Sequence, residues 1–282
     1  MTILEKLEEK GYCVIENILS KDEIEQSLAY FHEWFNSYPK IKETYHNNPH
    51  GILKFFEVGH QRHAWFIRTR PAVQEIFRQL WKTNDLVVSY DGTCYIPSEL
   101  HKKNNIWTHA DQAPNKKGLS CYQGFVSLTE NKDRTFIAYE GSHKLHEIYC
   151  DEKKLADNKN WLLIDHDYLE KIKETKRILH VKAGSLVIWD SRTFHQNQYG
   201  TTSEERIVQY LSFLPKKHRN KKMEEKRHKY FLERRTTSHW AYPVKVNSLQ
   251  PQTYGRKELL IDYSKLNPPN LEDLMEDIKK LI

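Results

Sequence analysis

The sequence predicts a mainly β protein with flanking helices, built as a double-stranded β-helix of the jelly-roll, cupin-like kind. Three observations carry that expectation. Helical periodicity is confined to the segment before Asn84, an insertion at 151–176 and the stretch past Pro215. Between them, short apolar runs of strand period recur from Leu86 to Phe213. Tight-turn signals such as Asp91-Gly92 and Ala183-Gly184 separate these runs.

The elements follow in order. Thr2-Ile3-Leu4-Glu5 has the spacing of a capping box and Gly11 is a natural stop, so a short first helix leads into a strand at Tyr12-Cys13-Val14-Ile15. Ser20-Lys21-Asp22-Glu23 repeats the capping box, with Leu19 and Ile24 spaced as a hydrophobic staple. Ile24, Leu28, Phe31 and Phe35 continue that helix on one face. From Pro39 to His63 the pattern is irregular and reads as a loop or lid bearing aromatic residues. Pro71 then opens a helix whose Val73, Ile76, Phe77, Leu80 and Trp81 form an apolar stripe.

The strand series begins with Leu86–Tyr90, turns at Asp91-Gly92 as a hairpin, and continues at Thr93–Ile96, Ile106–Asp111, Ser120–Leu128 and Thr135–Tyr139. It resumes at Ile178–Lys182, Ser185–Trp189, Thr193–His195 and Arg206–Phe213, after a helical insertion whose inward positions are Leu169 and Ile172. The predicted division is a barrel domain over 1–214 and a basic helical segment with a C-terminal tail over 215–282, packing on the barrel. Asn270–Ile282 closes the chain as an amphipathic helix with Leu271, Leu274, Ile278 and Leu281 on one side. The tail around Trp240 and Tyr254 is expected to fold back over the barrel mouth.

Composition narrows the class. At 282 residues, 38% hydrophobic, with seven Trp, sixteen Tyr and only ten each of Gly and Pro, the chain has the material for a sizeable core. No apolar run approaches a membrane span, and the charged start lacks a signal-peptide core, which predicts a cytoplasmic protein. Cys13, Cys94, Cys121 and Cys150 are scattered, which argues against a zinc knuckle or disulfide framework and predicts free thiols. The net charge of +6 is local. Residues 216–235 hold ten Lys/Arg against three Glu, or +7, leaving about −1 elsewhere. A solvated helix is the ordinary explanation of such a run, and a nucleic-acid, phosphate or other anionic partner is the alternative.

The chemistry centres on Trp107-Thr108-His109-Ala110-Asp111-Gln112. Residues two apart on a strand share a face, so His109 and Asp111 can offer an imidazole and a carboxylate to one ion. His-x-Asp alone is a weak signal, since about one such pair is expected by chance in this composition. A third ligand from elsewhere would complete the 2-His-1-carboxylate arrangement that suits non-heme Fe(II), and His195, after the apolar run Leu186-Val187-Ile188-Trp189, is a candidate for it. Arg206, eleven residues further on, is placed by the turn around Gly200 where a guanidinium fork can hold a carboxylate. His143 is a rival third ligand. Gln112 and Gln123 are candidates for contact with substrate or cosubstrate, and Trp107, Tyr122, Phe125, Phe136 and Trp189 for dry walls or core.

The ordered set His109-x-Asp111, Glu140-Gly141-Ser142-His143-Lys144, then Gly184-Ser185-Leu186-Val187-Ile188-Trp189-Asp190 leading to His195 and Arg206, resembles the phytanoyl-CoA dioxygenase-like branch of the Fe(II)/2-oxoglutarate oxygenases. The opening Glu9–Ser20 looks like the same family, and the likeness spans roughly 5–214. It implies His109, Asp111 and His195 as iron ligands, Arg206 as the salt-bridge partner of the distal carboxylate of 2-oxoglutarate, and Asn197 as a polar neighbour of that cosubstrate. It implies hydroxylation with O2, giving succinate and CO2, and the carboxylate ligand points away from halogenating variants. It also favours a turn role for His143. Glu140 stands where the family commonly has Pro, and no acyl-CoA motif is legible, so the substrate is open. A catalytically silent barrel that binds an anionic partner through the basic segment is the rival reading.

Overall fold

The computed structural model describes residues 1–218 and 220–282; Arg219, one cation of the basic run, lies outside the described residues. The strands are, in chain order, β1 (Tyr12–Ile15), β2 (Ile52–Leu53), β3 (Leu86–Val88), β4 (Thr93–Ile96), β5 (His109–Ala110), β6 (Tyr122–Ser127), β7 (Phe136–Tyr139), β8 (Leu162–Leu163), β9 (Lys176–Ile178), β10 (Leu186–Asp190), β11 (His195–Asn197) and β12 (Arg206–Pro215). Their pairings are antiparallel and helices flank them, the mainly β architecture that the sequence predicts. The chain forms two compact units, Met1–Glu16 with Ile96–Arg206 and Asn17–Tyr95 with Ile207–Ile282.

In the first unit β1, β10 and β6 lie side by side, and a second sheet runs β8-β5-β11-β7-β9. The helix Ile3–Lys10 begins in the predicted capping box, with Thr2 accepting from the Glu5 amide, and ends at Gly11 with φ 82°. Glycine is required there twice over, because a Cβ would also sit 2.5 Å from the His143 ring. β10 is buried along its whole length and pairs β1 and β6 through Trp189↔Tyr12 and Trp189↔Gln123. The insertion holds the helices His146–Glu152 and His166–Lys171, and Leu169 is buried as expected. It also holds β8, which the sequence reading missed, since two leucines between polar residues show no period. Tyr149, Tyr168, Leu169 and Phe194 pack with Ile137 and Tyr139 of β7 into one apolar cluster, each large side chain contributing roughly 2–3 kcal/mol by burial.

Residues 106–108 are not strand. The Gln196 carboxamide takes the place of a ladder there, accepting from the Trp107 amide at 3.1 Å and the Thr108 hydroxyl at 2.7 Å. Its own Nε2 donates to Asn105 O at 3.0 Å.

In the second unit the helix Lys21–Ser37 carries the Ser20/Glu23 capping box and buries Phe31, Trp34 and Phe35, while Pro71–Trp81 buries Val73 and Phe77. Two expectations are corrected here. The stretch 39–63 is no irregular lid: it forms the helix Pro39–Glu43, several 3-10 turns and β2, with Ile41, Phe55, Phe56 and Val58 in the core. Asp91-Gly92 is no hairpin turn, because β3 and β4 both pair β12 rather than each other. Gly92 is needed for a different reason: a Cβ would meet the Leu53 carbonyl oxygen at 2.0 Å. The Asp91 carboxylate accepts from Ser89 Oγ at 2.7 Å and pairs with Arg68 and His239, so it serves the fold.

Within the basic run, Lys221–Leu232 forms a helix. One of its cations points inward: Arg227, 1% exposed, donates to the carbonyls of Ala241, Val88 and Leu281 at 2.6, 2.8 and 3.1 Å. The closing helix starts as a 3-10 turn at Glu272–Leu274 and continues over Met275–Leu281, with Leu271, Leu274, Ile278 and Leu281 all buried. Within the tail Trp240 is buried and Tyr254 is exposed. The four cysteines are free, as expected, and no described helix is long and apolar enough to cross a membrane.

Candidate metal centre

Register places the first two donors. β11 pairs β5 with His195 directly opposite His109, so both imidazoles leave the sheet on one face with ring centroids 4.4 Å apart. Asp111 follows β5, and its amide is fixed by donating to Ser191 O at 3.0 Å. The Nε2 atoms of His109 and His195 each stand 3.6 Å from an Asp111 carboxylate oxygen. Among the described residues this is the group of His, Cys, Asp and Glu side chains arranged to hold a metal ion, its ligand atoms all within 4.8 Å of one another.

The hydrogen bonds settle which imidazole nitrogen faces that point. His109 Nδ1 lies 3.1 Å from Trp107 O and His195 Nδ1 lies 2.9 Å from Thr193 O. A carbonyl only accepts, so both Nδ1 atoms carry the proton and both Nε2 atoms carry the lone pair that binds metal. Two nitrogens and one carboxylate, grouped on one side, fit a divalent iron that keeps open coordination positions. Aromatic rings hold the imidazoles in place. Trp107 stacks on His109 at 4.7 Å, and Phe136 stacks on His195 at 5.2 Å with Trp189 at 5.0 Å.

Arg206 opens β12 and is fully buried. Its Nη2 donates to Asn197 Oδ1 at 3.2 Å, while among the described residues no atom accepts from Nε or Nη1. The guanidinium lies 5.0 Å from the centre of the Phe125 ring. Asn197 is two residues beyond His195 on the same strand, so its side chain shares the His195 face and ties Arg206 to the metal group. A buried cation with two N–H groups unused among the described residues suits an anionic group.

The other predicted residues are placed as follows. Gln112 is buried with its carboxamide engaged: Nε2 donates to Lys116 O and Gly118 O at 3.2 and 2.8 Å, and Oε1 accepts from the Ser120 amide and Ser191 Oγ. It braces the turn after Asp111. Gln123 is buried and accepts from Trp189 Nε1 at 3.1 Å. Phe125, Phe136 and Trp189 pack on one another between Arg206 and His195, whereas Tyr122 faces Asp190 across the β6–β10 ladder. His143 lies outside the group, with Nε2 at 3.1 Å from Glu8 O, where burial holds it below the usual imidazole range.

Two residues near the group escaped the sequence reading. Gln196 braces the approach to His109, and only its place between His195 and Asn197 hints at this. Trp161 lies 5.7 Å from the His109 ring, and nothing local signals it.

Comparison with known proteins agrees with this geometry. The family described as Phytanoyl-CoA dioxygenase (PhyH) matches residues 7–208. The Ava biosynthesis cluster protein O of Aspergillus versicolor is 32% identical over 199 residues, 64% of this chain and 62% of that protein, so the chain spans under two thirds of this relative. Among solved structures, GIG2 (DUF1479) from Candida albicans superposes with a TM-score of 0.68 at 16% identity, covering 98% of this chain and 74% of that one. EctD from S. alaskensis, solved with 2-oxoglutarate and 5-hydroxyectoine, gives a TM-score of 0.55 at 15% identity, covering 76% of each chain. These structural likenesses establish the double-stranded β-helix fold. With the family match spanning residues 7–208, well over half of the chain and including His109, Asp111, His195 and Arg206, the chain belongs to the phytanoyl-CoA dioxygenase (PhyH) family, a branch of the iron- and 2-oxoglutarate-dependent oxygenases.

Proposed function

We propose that this protein is a hydroxylase that uses Fe(II), 2-oxoglutarate and O2 and releases succinate and CO2. In this reading His109, Asp111 and His195 hold the iron, and Arg206 with Asn197 receives the distal carboxylate of 2-oxoglutarate. The observation that carries it is Arg206: a fully buried guanidinium with two donors unused, tied through Asn197 to the strand that bears His195. The reading also draws on EctD, whose structure holds 2-oxoglutarate together with a hydroxylated small molecule.

Iron with its two cosubstrates supplies an oxidant strong enough to remove hydrogen from an unactivated C–H bond. The chain's own contribution is positional. Trp107 O and Thr193 O fix the imidazole tautomers, Phe125, Phe136 and Trp189 keep the space between Arg206 and His195 dry, and Gln123 orients the Trp189 indole. Arg206 would offer charge-assisted hydrogen bonds to a carboxylate from a fully buried position, which favours the cosubstrate's orientation as well as its affinity.

Calorimetry under nitrogen tests this. Metal-free protein is titrated with 2-oxoglutarate with and without Mn(II) as an iron surrogate, beside His195→Ala and Arg206→Ala. Metal-dependent binding is expected in the native chain, with a loss of about a hundredfold or more in each variant. Absence of metal-dependent binding in the native chain would sink the proposal and favour the silent barrel whose basic helix engages an anionic partner.

A further inference from the structure

A cleft of about 600 Å³ opens in the first unit, lined in part by Tyr149, Leu155, Lys159, Trp161 and Leu162, with no metal-group side chain in its wall. Trp161 links this cleft to His109. Its indole is 38% exposed, lines the cleft, and lies 5.7 Å from the His109 ring at an interplanar angle of 30°. Trp161 immediately precedes β8, which pairs β5 with Leu163↔His109 and Leu162↔Ala110, so the strand that carries a metal donor sets the indole's position.

The backbone of Trp161 has φ 141°, a region that bulky residues avoid. Such a conformation persists only where its surroundings over-determine it, and here they do. Asp157 O accepts from the Asn115 amide, and Asn160 Oδ1 accepts from the Ala113 amide and Lys116 Nζ. The Ile164 amide donates to Thr108 O on the far side. A large apolar side chain is thus held part-exposed, in a costly backbone, next to a metal donor. Core packing does not explain it.

The charges of the cleft are arranged unevenly. Lys153 is paired with Asp165 at 2.5 Å, and Asp157 Oδ1 accepts from the Lys159 amide. The Lys159 ammonium has no carboxylate partner among the described residues and lies 5.5 Å from the centre of the Trp161 ring. An exposed cation–π contact is weak and exchanges readily for an ion pair.

We propose, on the oxygenase reading above, that Trp161 and Lys159 bind the substrate: a flat unsaturated ring packs on the indole, and a carboxylate of the same molecule takes the Lys159 ammonium. The Trp161 ring contact with His109 at 5.7 Å would bring such a molecule toward the metal group. Trp161 then selects for the flat body and Lys159 for the acid.

The test uses 2-naphthoate and its neutral counterpart 2-naphthamide, titrated by calorimetry into the full chain. Mn(II) and saturating 2-oxoglutarate are present so that Arg206 is engaged, and each titration is repeated without them. Native protein is expected to bind naphthoate saturably. Trp161→Ala should weaken both probes about tenfold and Trp161→Phe much less, while Lys159→Gln should weaken naphthoate about fivefold and leave naphthamide unchanged. No saturable naphthoate binding by the native chain, or equal binding by Trp161→Ala and Lys159→Gln, overturns the proposal. Metal-dependent 2-oxoglutarate binding in the same samples reports separately on the oxygenase reading. If Trp161→Ala loses it by disturbing His109, Trp161→Phe and Lys159→Gln decide.

Discussion

Two arginines of the first unit make a matched experiment. Arg134 and Arg206 are both fully buried, yet their guanidinium groups do opposite things. Arg134 donates to four backbone carbonyls, those of Tyr199, Pro97, Leu100 and Thr202, at 2.6–2.9 Å. Among the described residues Arg206 makes one hydrogen bond, to Asn197, and lies over Phe125. Replacing Arg206 by Met forfeits that bond, about 1.5–3 kcal/mol, and a desolvated cation–π contact of about 2 kcal/mol. Against this it removes a buried charge with two unused donors, whose uncompensated desolvation costs several kcal/mol. The terms nearly cancel, so Arg206→Met should change stability by no more than about 1 kcal/mol in either direction. The same substitution at Arg134 strands four carbonyls at roughly 1–3 kcal/mol for each that is left dry, a loss of at least about 3 kcal/mol.

Urea unfolding of the metal-free chain measures both, and 2-oxoglutarate titration with Mn(II) gives the functional half. Arg206→Met should keep its midpoint and lose cosubstrate affinity about a hundredfold or more. If it unfolds as early as Arg134→Met, the Arg206 guanidinium is a structural clamp. The cosubstrate reading then loses the observation that carries it.

Two further outcomes follow from buried or strained groups. The φ of 141° at Trp161 predicts that Trp161→Gly is more stable than Trp161→Ala by about 1 kcal/mol, the reverse of the usual order; thermal unfolding showing Ala ahead would remove the strain argument. Burial pushes His60 and His63 down to about 3 from an ordinary 6.5, with Arg68 adding to the effect in both. Between those values the unfolded chain takes a proton that the native state refuses, so stability is full above pH 6.5 and is lost as pH falls. Each histidine should cost about 2 kcal/mol by pH 5, and His63→Phe should flatten the measured slope by about 1.4 kcal/mol per pH unit. An unchanged slope would mean that His63 is protonated in the native state.

What the sequence made legible was local or carried by an ordered motif. The capping boxes at Thr2 and Ser20 are complete within four residues, so the helix starts are encoded where they stand. His109, Asp111, His195 and Arg206 were found by type and order, and the fold brings the first three together. What stayed hidden depends on partners distant in sequence. Asp91-Gly92 has hairpin composition, but β12 is long enough to pair both flanking strands, and the Gly was needed beneath Leu53 O. Arg227 sits in a run of surface cations and differs from them only in facing inward. β8 has no period, and Trp161 acquires meaning only once β8 is laid against His109.

β11 shows why so short a strand suffices to organise the site. Its first and third side chains face the metal group: His195 lies opposite His109, and Asn197 holds Arg206. Its second, Gln196, turns to the other face and braces residues 105–108, the segment that delivers His109. β5 pairs one edge of β11 and β7 the other, with Ala138 opposite His195 and Phe136 opposite Asn197. A slip of one residue in either pairing would send Gln196 into the site and both metal-facing side chains out of it. The alternation of three consecutive residues therefore couples the His109–Asp111–His195 group, the Asn197–Arg206 hydrogen bond and the loop brace to a single register. That register is specified from both edges, because neither the two-residue β5 nor the polar β11 carries enough apolar pattern to fix it alone.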